Sequence, residues 1–515
     1  MDDALQQLPI QVGTGTIVGV EAIMVTIEAT LREFAEGPRI LGHVDGVVRE
    51  AFHRVLGAFV SLGLPLPRGS STLNFAPAAL RKAGSGFDLP MALALAGASG
   101  SIPRAATLGL AALGEVTLRG DVCPSPGAVA VAMACRAGGR ERILASPSDA
   151  AKMALVPGVE AIPVRDLDEA LRHLRNERVI RPAEPPAFPG AVGDLDFAEI
   201  RGHETPKRAL LVAAAGGHNT LLVGPPGSGK TALARRTRAL LPTPNAGEAL
   251  EILRIHTSIS STFCGLERPF RAPHHSSSAA SVLGGGSDPR PGEVTLAHRG
   301  ILFLDELAEF GRDVLEGLRE PLEDRVVTVG RARRTVTMPA EFMLVAATNP
   351  CPCGWLGHPQ RACSCTPPQR TRYATRISGP LLDRIDLQVE VPCQDPRILA
   401  TPPDAAWSTA AMQERVHAAR DRQRARGRGS NSPAENATLS GRDLERATRP
   451  SAAILAALER VILTRRLSGR ARVRLLRMAR TIADLESRDD LRVEDVLEAA
   501  ELRRGESVLA GSGTR

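Results

Sequence analysis

The fold is decided by residues 220–231, in which the apolar run Thr220-Leu-Leu-Val223 leads into Gly224-Pro225-Pro226-Gly227-Ser228-Gly229-Lys230-Thr231. A helical run, ALARRTRALL, follows, so the order is strand, glycine-rich turn and helix. Glycines let such a turn wrap phosphate oxygens, and backbone N–H groups at the helix start face the anion. We predict that residues 224–231 bind ATP, with Lys230 on its β- and γ-phosphates and Thr231 on Mg²⁺. A glycine-rich turn without a ligand is the alternative.

Two further apolar runs end in polar side chains. Gly300-Ile-Leu-Phe-Leu precedes Asp305 and Glu306, and Met343-Leu-Val-Ala-Ala-Thr348 precedes Asn349. Parallel α/β sheets bind ligands at the carboxyl ends of their strands. We therefore predict that Asp305 holds Mg²⁺, that Glu306 polarises the attacking water, and that Asn349 senses the γ-phosphate. These three runs alternate with helical patterns, which predicts a doubly wound parallel sheet.

Composition narrows the class of protein. The 515 residues are 43% hydrophobic, which fits a globular chain of several domains. Neither a signal-peptide pattern nor a long uncharged apolar run is present, so we expect a cytoplasmic protein without a membrane segment. Net charge is +7, which permits a nucleic-acid partner without requiring one. Only Lys82, Lys152, Lys207 and Lys230 are lysines among the 64 basic residues, which suggests sites where guanidinium does not fit.

The predicted organisation is α/β with three domains. An α+β domain spans residues 1–178, and a proline-rich linker containing RPAEPPAFPG spans 179–195. The nucleotide-binding core spans 196–393. A second linker, 394–410, leads to an all-helical lid over 411–515, which is rich in Ala, Leu and Arg.

The chain resembles the Mg-chelatase-like AAA+ ATPases, the family of ComM and YifB, over nearly its full length. The segments that carry the resemblance are 268–307 (RPFRAPHHSSSAASVLGGGSDPRPGEVTLAHRGILFLDEL), 377–392 (ISGPLLDRIDLQVEVP) and 466–485 (RLSGRARVRLLRMARTIADL). The resemblance implies a homo-hexameric ring with ATP between subunits. It further implies that Arg384 completes a neighbour's site and that Arg470 is the second sensor. A surface salt bridge is the alternative for either arginine.

The resemblance also implies that the N-terminal domain has the Lon-protease-like fold, notably at STLNFAPAALRKAGSGFDLPMALALAG and LGEVTLRGDV. The position of the protease nucleophile falls at Gly86, and that of its partner lysine falls at Val129. Without a hydroxyl and an amine there is no Ser–Lys pair. We therefore expect a catalytically inactive domain that serves assembly or substrate binding.

An arginine-rich hairpin is predicted between the acidic pair and the sensor strand. Residues 326–329 and 335–338 alternate as paired strands, which would place Arg331, Arg333 and Arg334 at the tip. Such a tip could contact phosphates of single-stranded or branched DNA without reading sequence, although a solvated turn fits as well. The glycines at 284–286 are a second candidate loop. The resemblance implies helicase or branch-migration work on DNA, as in natural transformation. A protein-remodelling or chelatase-type motor is the alternative.

Four cysteines fall within residues 351–365, directly after Asn349. Cys351 and Cys353 form one C-x-C pair, and Cys363 and Cys365 form another. Four thiolates suit a tetrahedral structural Zn²⁺ site, with His358 as a substitute ligand. Reduced, unligated thiols are the alternative.

Overall fold

The computed structural model describes residues 8–32, 39–65, 70–187, 195–262, 265, 267–286, 289–331, 334–427 and 435–504. The fold is α/β, with a parallel-sheet core as expected of the P-loop AAA+ type that the resemblance implies, an N-terminal α+β domain and a helical C-terminal region.

A seven-stranded mixed sheet forms the N-terminal domain, in the order β3-β4-β2-β1-β5-β8-β9. Helix α2 (Asp88–Ala98) is apolar on every side because it is buried between this sheet and helix α1 (Gly46–Ser61). The strands are β1 (Ile10–Val18), β2 (Glu21–Arg32), β3 (Arg39–Leu41), β4 (Ser70–Ala76), β5 (Leu110–Leu113), β6 (Glu115–Val116), β7 (Val122–Cys123), β8 (Arg142–Ala145) and β9 (Glu160–Pro163). The helices are α1 (Gly46–Ser61), α2 (Asp88–Ala98), α3 (Ala128–Ala137), α4 (Pro147–Met153) and α5 (Leu167–Leu174).

Apolar packing fills the two positions at which the resemblance placed protease residues. A Cβ atom on Gly86 would lie 2.5 Å from Cδ1 of Leu113, and Val129 is completely buried in the first turn of α3. Lys82 donates to the carbonyl oxygen of Phe75 at 2.8 Å. These contacts describe a packed interior at the positions aligned with the protease pair.

A five-stranded parallel sheet forms the nucleotide-binding core, in the order β11-β14-β17-β10-β18. The strands of the core are β10 (Thr220–Val223), β11 (Phe270–Arg271), β12 (Gly284–Gly285), β13 (Arg290–Pro291), β14 (Ile301–Leu304), β15 (Val326–Arg331), β16 (Arg334–Pro339), β17 (Met343–Thr348) and β18 (Leu387–Glu390). Its helices are α6 (Glu204–Gly216), α7 (Lys230–Leu240), α8 (Ala246–Ile259), α9 (Ala279–Leu283), α10 (Glu293–Leu296), α11 (Arg312–Gly317), α12 (Arg319–Asp324), α13 (Pro367–Ala374) and α14 (Gly379–Leu382).

The hairpin of β15 and β16 is longer than the sequence predicts. Pairing continues through Gly330 opposite Thr335 to Arg331 opposite Arg334, because main-chain hydrogen bonds do not require the Val and Thr alternation that ends earlier. Gly330, Arg331 and Arg334 therefore belong to the strands, so the predicted strand bounds of 326–329 and 335–338, which left residues 330–334 as the tip, are wrong. Arg333 and the side chains of Arg331 and Arg334 lie outside the described residues.

The C-terminal region is helical and shares one hydrophobic core with the sheet. Leu475 and Ile482 of α19 belong to the same buried cluster as Leu222 and Val345 of the sheet. The helices of this region are α15 (Pro396–Leu399), α16 (Thr409–Gly427), α17 (Gly441–Thr448), α18 (Ala452–Arg465), α19 (Gly469–Leu485) and α20 (Val493–Glu501).

The predicted linkers make specific contacts. Ala183 donates to the carbonyl oxygen of Ala161 at 2.8 Å, so the first linker begins against the edge of the N-terminal sheet. Gln394, in the second linker, lies with Nε2 3.1 Å from Nδ1 of His203 in the core. Both predicted linkers therefore contact the domain beside them through these residues.

The N-terminal domain packs against helix α8 of the core. Ala128 and Val129 pack in one buried cluster with Ala249 and Leu253 of α8. Polar contacts border this cluster: Gly127 donates to the carbonyl oxygen of Thr257 at 2.6 Å, and Lys152 donates to that of Ser261 at 2.6 Å. An ion pair of 2.6 Å joins Arg254 to Glu21.

Candidate nucleotide site

The loop between β10 and α7 has the conformation that its glycines permit. Gly227 and Gly229 have φ of 76° and 89°, in the left-handed region that other residues rarely adopt. At Gly224 a Cβ atom would lie 2.2 Å from the carbonyl oxygen of Val391. The loop therefore keeps its backbone free of side chains next to the N-terminus of α7, which suits close approach to phosphate.

Lys230 lies at the centre of the site and is mostly buried. Its ammonium donates to the carbonyl oxygens of Gly224 and Pro225, at 2.7 and 2.8 Å, and to Oδ1 of Asn349 at 3.2 Å. Burial lowers the pKa of Lys230, while the carboxylates of Asp305 and Glu306 oppose that shift. Lys230, Asn349 and the acidic pair, predicted from three separate strands, thus lie together.

Two oxygen donors suited to Mg²⁺ are in direct contact. The hydroxyl of Thr231 donates to Oδ2 of Asp305 at 2.8 Å, and Oδ1 of Asp305 accepts the backbone N–H of Glu306 at 3.0 Å. Hydroxyl and carboxylate oxygens are the ligands that Mg²⁺ prefers. Beside them the buried hydroxyl of Ser228 has no hydrogen-bond partner among the described residues, as expected of a group that serves a ligand.

Glu306 has a backbone conformation unusual for its residue type, with φ of 53° and ψ of 48°. Such a left-handed residue costs about 1–2 kcal/mol and is found more often at functional sites than elsewhere. Its carboxylate oxygen Oε2 lies 3.0 Å from Nδ1 of His275. The sequence analysis did not identify His275, although it lies within the segment 268–307 that carries the family resemblance.

Arg384 and Arg470 line one cavity of about 550 Å³, together with Glu323, Asp386 and Arg474. Arg384 pairs with Glu323 and donates to the carbonyl oxygen of Pro380 at 2.8 Å. Among the described residues that line this cavity, none belongs to the loop 224–231. The two predicted arginines therefore lie together, but apart from the loop 224–231 of their own chain.

A second cavity, of about 1310 Å³, lies next to the loop and was missed by sequence reasoning. His203 lines it, and a Cβ atom on Gly229 would be 3.6 Å from Nε2 of this histidine. Burial, with a smaller effect of Lys207, lowers the pKa of His203 to about 4, so its imidazole is neutral near pH 7. Lys207 lies 5.9 Å from the ring centroid of Trp407. Lys207 lines this cavity and is one of only four lysines in the chain, so the rarity of lysine was the sequence signal that could have pointed to the cavity.

The four cysteines after Asn349 come together. Their sulfur atoms all lie within 4.8 Å of one another, and Cys351, Cys353 and Cys363 are separated by 3.5, 3.6 and 3.6 Å. The cluster lies against the loop 224–231, since a Cβ atom on Gly354 would be 2.7 Å from Cδ of Pro226. His358 instead accepts hydrogen bonds from the backbone of Gln360 and Arg361. The cysteine cluster therefore fits a metal site.

Across the described ranges, the structure contains no helix that is both long enough and apolar enough to cross a membrane.

Comparisons with known proteins agree with this architecture. Three family profiles match the chain: "Magnesium chelatase, subunit ChlI" over residues 196–398, "Magnesium chelatase, subunit ChlI C-terminal" over 406–503, and "Subunit ChlI of Mg-chelatase" over 27–149. The uncharacterized protein YifB of Salmonella typhimurium is 39% identical over 96% of both chains. The competence protein ComM of Haemophilus influenzae is 36% identical, over 92% of this chain and 93% of its own.

A more distant similarity extends over part of the chain. Lon protease 2 of Bacillus subtilis is 27% identical over 36% of this chain and 38% of its own. The near full-length matches and the three profiles together show that the chain belongs to the Mg-chelatase-like AAA+ ATPase family of YifB and ComM.

Proposed function

We propose that this chain is the subunit of a homo-hexameric, ATP-hydrolysing motor that moves along single-stranded or branched DNA. The work would be helicase or branch-migration activity while a strand is integrated in recombination or natural transformation. The observation that carries the proposal is the convergence of Lys230, the Thr231–Asp305 pair and Asn349 beside Glu306. Phosphoryl transfer depends mainly on positioning and charge neutralisation, which such a set supplies.

Each side chain has a distinct part in hydrolysis. Lys230 would exchange its carbonyl partners for oxygens of the triphosphate, and Thr231 and Asp305 would hold Mg²⁺. When bound, Mg²⁺ neutralises charge on the phosphate oxygens. Glu306 would accept a proton from water as the oxygen of that water bonds to the γ-phosphorus and ADP leaves. Asn349 would report on the γ-phosphate through its contact with Lys230.

The base of the nucleotide has a candidate pocket in the second cavity. His203 reaches the last glycine of the loop, and the aromatic ring of Trp407 lines the same space. A neutral imidazole and an indole ring suit the uncharged, planar base better than the triphosphate. Because His203 both lines this cavity and lies next to Gly229, a nucleotide held by the loop would place its base there.

A ring explains the separation of Arg384 and Arg470 from the loop of their own chain. The cavity that they share with Arg474 is basic, and a guanidinium that reaches a neighbour's triphosphate stabilises charge in the transition state. Removal of such an arginine lowers turnover by about 10³–10⁵-fold in well-studied cases. ATP would then bind between subunits, and hydrolysis would depend on assembly.

DNA is the proposed substrate for two reasons. The relative ComM is named a competence protein, and the hairpin of β15 and β16 ends at the pair Arg331 and Arg334, with Arg333 between them in the sequence. Guanidinium groups bind backbone phosphates independently of sequence. The net charge of +7 permits such a polyanionic partner without requiring one. A chelatase-type motor that drives a partner protein is the second candidate, because the matching profiles are named for magnesium chelatase.

The experiment is an ATPase assay without DNA, with single-stranded DNA and with forked DNA. We expect both DNAs to stimulate turnover, and the stimulation to fall when Arg331, Arg333 and Arg334 are all changed to Ala. Lys230→Ala should lose nucleotide binding or hydrolysis, whereas Glu306→Gln should bind ATP and turn over slowly. Normal turnover in both variants would refute the nucleotide site. If the protein hydrolyses ATP but neither binds DNA nor is stimulated by it, the DNA motor is refuted and the partner-driven motor remains.

The cysteine cluster is proposed to hold structural Zn²⁺. Four thiolates about 2.3 Å from zinc form a tetrahedron with edges of roughly 3.8 Å, and the sulfur separations of 3.5 and 3.6 Å in the structure are close to that value. The backbone N–H of Cys353 donates to the sulfur of Cys365 at 3.4 Å, as groups around a metal ligand commonly do. Zinc there would brace the segment between Asn349 and α13 against Pro226 of the phosphate-binding loop.

Metal analysis of the purified protein tests this assignment. We expect about one zinc per chain, and a loss of it in Cys353→Ser and Cys363→Ser. Cys135→Ser is the matched control, because this buried cysteine lies in the N-terminal domain away from the cluster and should leave the zinc content unchanged. Zinc-free protein with normal stability and nucleotide binding would show that the thiols are simply reduced.

A further inference from the structure

The turn between β1 and β2 of the N-terminal domain reaches the hairpin of β15 and β16 in the core. Gly19 and Val20 alone connect the two strands. Gly19 has φ of 65°, and a Cβ atom on it would lie 2.6 Å from Cγ1 of Val336 and 3.6 Å from Sδ of Met338. Val20 is 1% exposed and belongs to the same buried cluster as Val329 of β15. The turn therefore packs against the β15–β16 hairpin.

This contact is separate from the joint between the domains at α8. At that joint, Val129 packs with Leu253 in a different buried cluster from the one that contains Val20. Glu21, the residue directly after the turn, pairs with Arg254 of α8 at 2.6 Å. The turn is thus fixed between α8 on one side and the hairpin on the other.

The β15–β16 hairpin depends on such packing because it forms a two-stranded sheet of its own, apart from the five-stranded sheet. Two-stranded hairpins are marginally stable in isolation. Arg331 also lies opposite Arg334 at the end of this hairpin, and like charges directly opposite destabilise a strand pair. The packed face consists of the cross-strand pairs Val327–Met338 and Val329–Val336, whereas Thr328 and Thr337 are exposed on the other face.

The turn supports the hairpin close to its arginine end. Val336, which Gly19 approaches, is two residues from Arg334 along β16. On the neighbouring glycine hairpin of β12 and β13, a Cβ atom on Gly284 would lie 3.3 Å from Cε of Met338. Met338 therefore lies between an element of the N-terminal domain and an element of the core.

We propose that the Gly19–Val20 turn is a positioning element, which holds the end of the β15–β16 hairpin in the orientation in which its arginines bind DNA phosphates; the inference rests on the DNA motor proposed above. An unsupported end would sample many orientations, and ordering it on DNA would cost conformational entropy. A hairpin that is held in advance avoids this cost. The N-terminal domain would thereby serve DNA binding through the core, without a nucleic-acid contact of its own.

DNA-dependent ATPase kinetics of Val20→Ala test the positioning role. The variant removes two methyl groups from a buried contact, so we expect the DNA concentration for half-maximal stimulation to rise roughly five- to thirty-fold. Basal kcat and KM for ATP should match the wild type, because the nucleotide loop and the acidic pair follow other strands. Amide hydrogen exchange should become faster in residues 326–331 and 334–338 and stay unchanged in 220–223 and 343–348.

Two further variants separate this contact from a general effect on the domain. Val60→Ala is the matched control, because this valine lies in α1 of the same domain and is 63% exposed. All of its measured quantities should match the wild type. Val336→Ala removes the hairpin side of the contact. Combined with Val20→Ala, it should raise the half-maximal DNA concentration by less than the product of the two single effects, because both changes remove one interaction.

The outcomes distinguish this inference from the proposed function. A wild type that hydrolyses ATP but neither binds DNA nor is stimulated by it refutes the DNA motor, and the positioning role falls with it. If DNA stimulates the wild type and Val20→Ala responds at the same DNA concentrations, or its hairpin exchanges no faster, the positioning role is overturned while the motor stands. A basal kcat that falls as far as the stimulated rate, an equal change in Val60→Ala, or fully independent effects of Val20→Ala and Val336→Ala would also overturn it.

Discussion

The joint between the core sheet and the lid helices depends on one buried carboxylate, and its removal should loosen that joint measurably. Asp386, at the start of β18, is almost completely buried. It accepts a hydrogen bond from Nη1 of Arg474 at 2.7 Å and longer contacts from Nδ1 of His218 and the backbone N–H of Asn219, at 3.4 and 3.3 Å. Nε2 of His218 in turn lies 2.8 Å from the hydroxyl of Thr481. Both arms of this network end on α19.

The magnitude follows from what Asp386→Asn would leave behind. Breaking a buried ion pair by removing one partner typically costs about 3–5 kcal/mol. The amide oxygen still accepts one hydrogen bond and the side chain of Arg474 is 16% exposed, so we expect about 2–4 kcal/mol for the opening of α19. Hydrogen exchange measured peptide by peptide suits a chain of several domains, because it reports local opening. Protection in α19 should fall on the order of thirty- to several-hundred-fold.

Acid should reproduce the effect in the wild type. Burial alone would raise the pKa of Asp386, but the hydrogen bond from His218 and the charge of Arg474 together lower it well below its usual range. A carboxyl with a depressed pKa stabilises the fold above its unfolded pKa, near 4, and that stabilisation is lost as pH falls further. Protection in α19 should therefore decline below about pH 4 in the wild type and less steeply in Asp386→Asn.

The matched control is Asp383→Asn. Its carboxylate is 30% exposed, 3.4 Å from the hydroxyl of Ser468 and 3.9 Å from Arg503, so the change should cost at most about 1 kcal/mol. Arg474→Met combined with Asp386→Asn should cost less than the sum of the two changes, because each removes the same interaction. If Asp386→Asn loosens α19 no more than Asp383→Asn does, the carboxylate network does not hold the joint.

Two further predictions concern the loop and the interface between domains. Gly224→Ala should abolish binding of a fluorescent ATP analogue, because its methyl group would lie 2.2 Å from the carbonyl oxygen of Val391. The control Gly311→Ala should bind normally, since a Cβ atom there meets nothing within 4 Å. Normal binding by both variants would contradict the packing argument. Lys152→Ala removes a donor to Ser261 and leaves Asp149 buried without its cation, so the contact between the domains should weaken by about 2–4 kcal/mol. We expect a protease to cleave the 179–195 segment faster in this variant. Unchanged cleavage would contradict the prediction.

Much of the core could be predicted because its signals are local. The strands β10, β14 and β17 are short apolar runs that end in polar residues, and such runs indicate buried parallel strands without knowledge of their neighbours. The loop 224–231 is predictable for the same reason, since the spacing of its glycines and lysine is a local pattern typical of loops that surround phosphate. Family resemblance then supplied Arg384 and Arg470, for which the local sequence alone allows a surface ion pair.

Contacts between distant residues were not predictable. His275 meets Glu306, and Arg474 meets Asp386 across 88 positions, yet each histidine or arginine taken alone is compatible with a solvated surface. The strand hairpin shows a related limit. Its Val and Thr alternation marks where side chains pack, whereas backbone pairing continues two residues further on one strand and one on the other. Patterns of side chains therefore predict cores better than they predict ends and partners.

The rarity of lysine in this chain proved more informative than the sequence analysis suggested. All four lysines of this arginine-rich chain are buried, and each ammonium donates to at least one backbone carbonyl oxygen: Phe75 for Lys82, Ser261 for Lys152, Ile200 for Lys207 and Gly224 for Lys230. Burial alone does not exclude guanidinium, because Arg480 is buried as completely. A compact ammonium with three donors fits converging carbonyl groups that a planar fork does not match. At the fourth of these sites the carbonyl groups belong to a glycine-rich loop, and this is the one lysine for which we propose a role in phosphate binding.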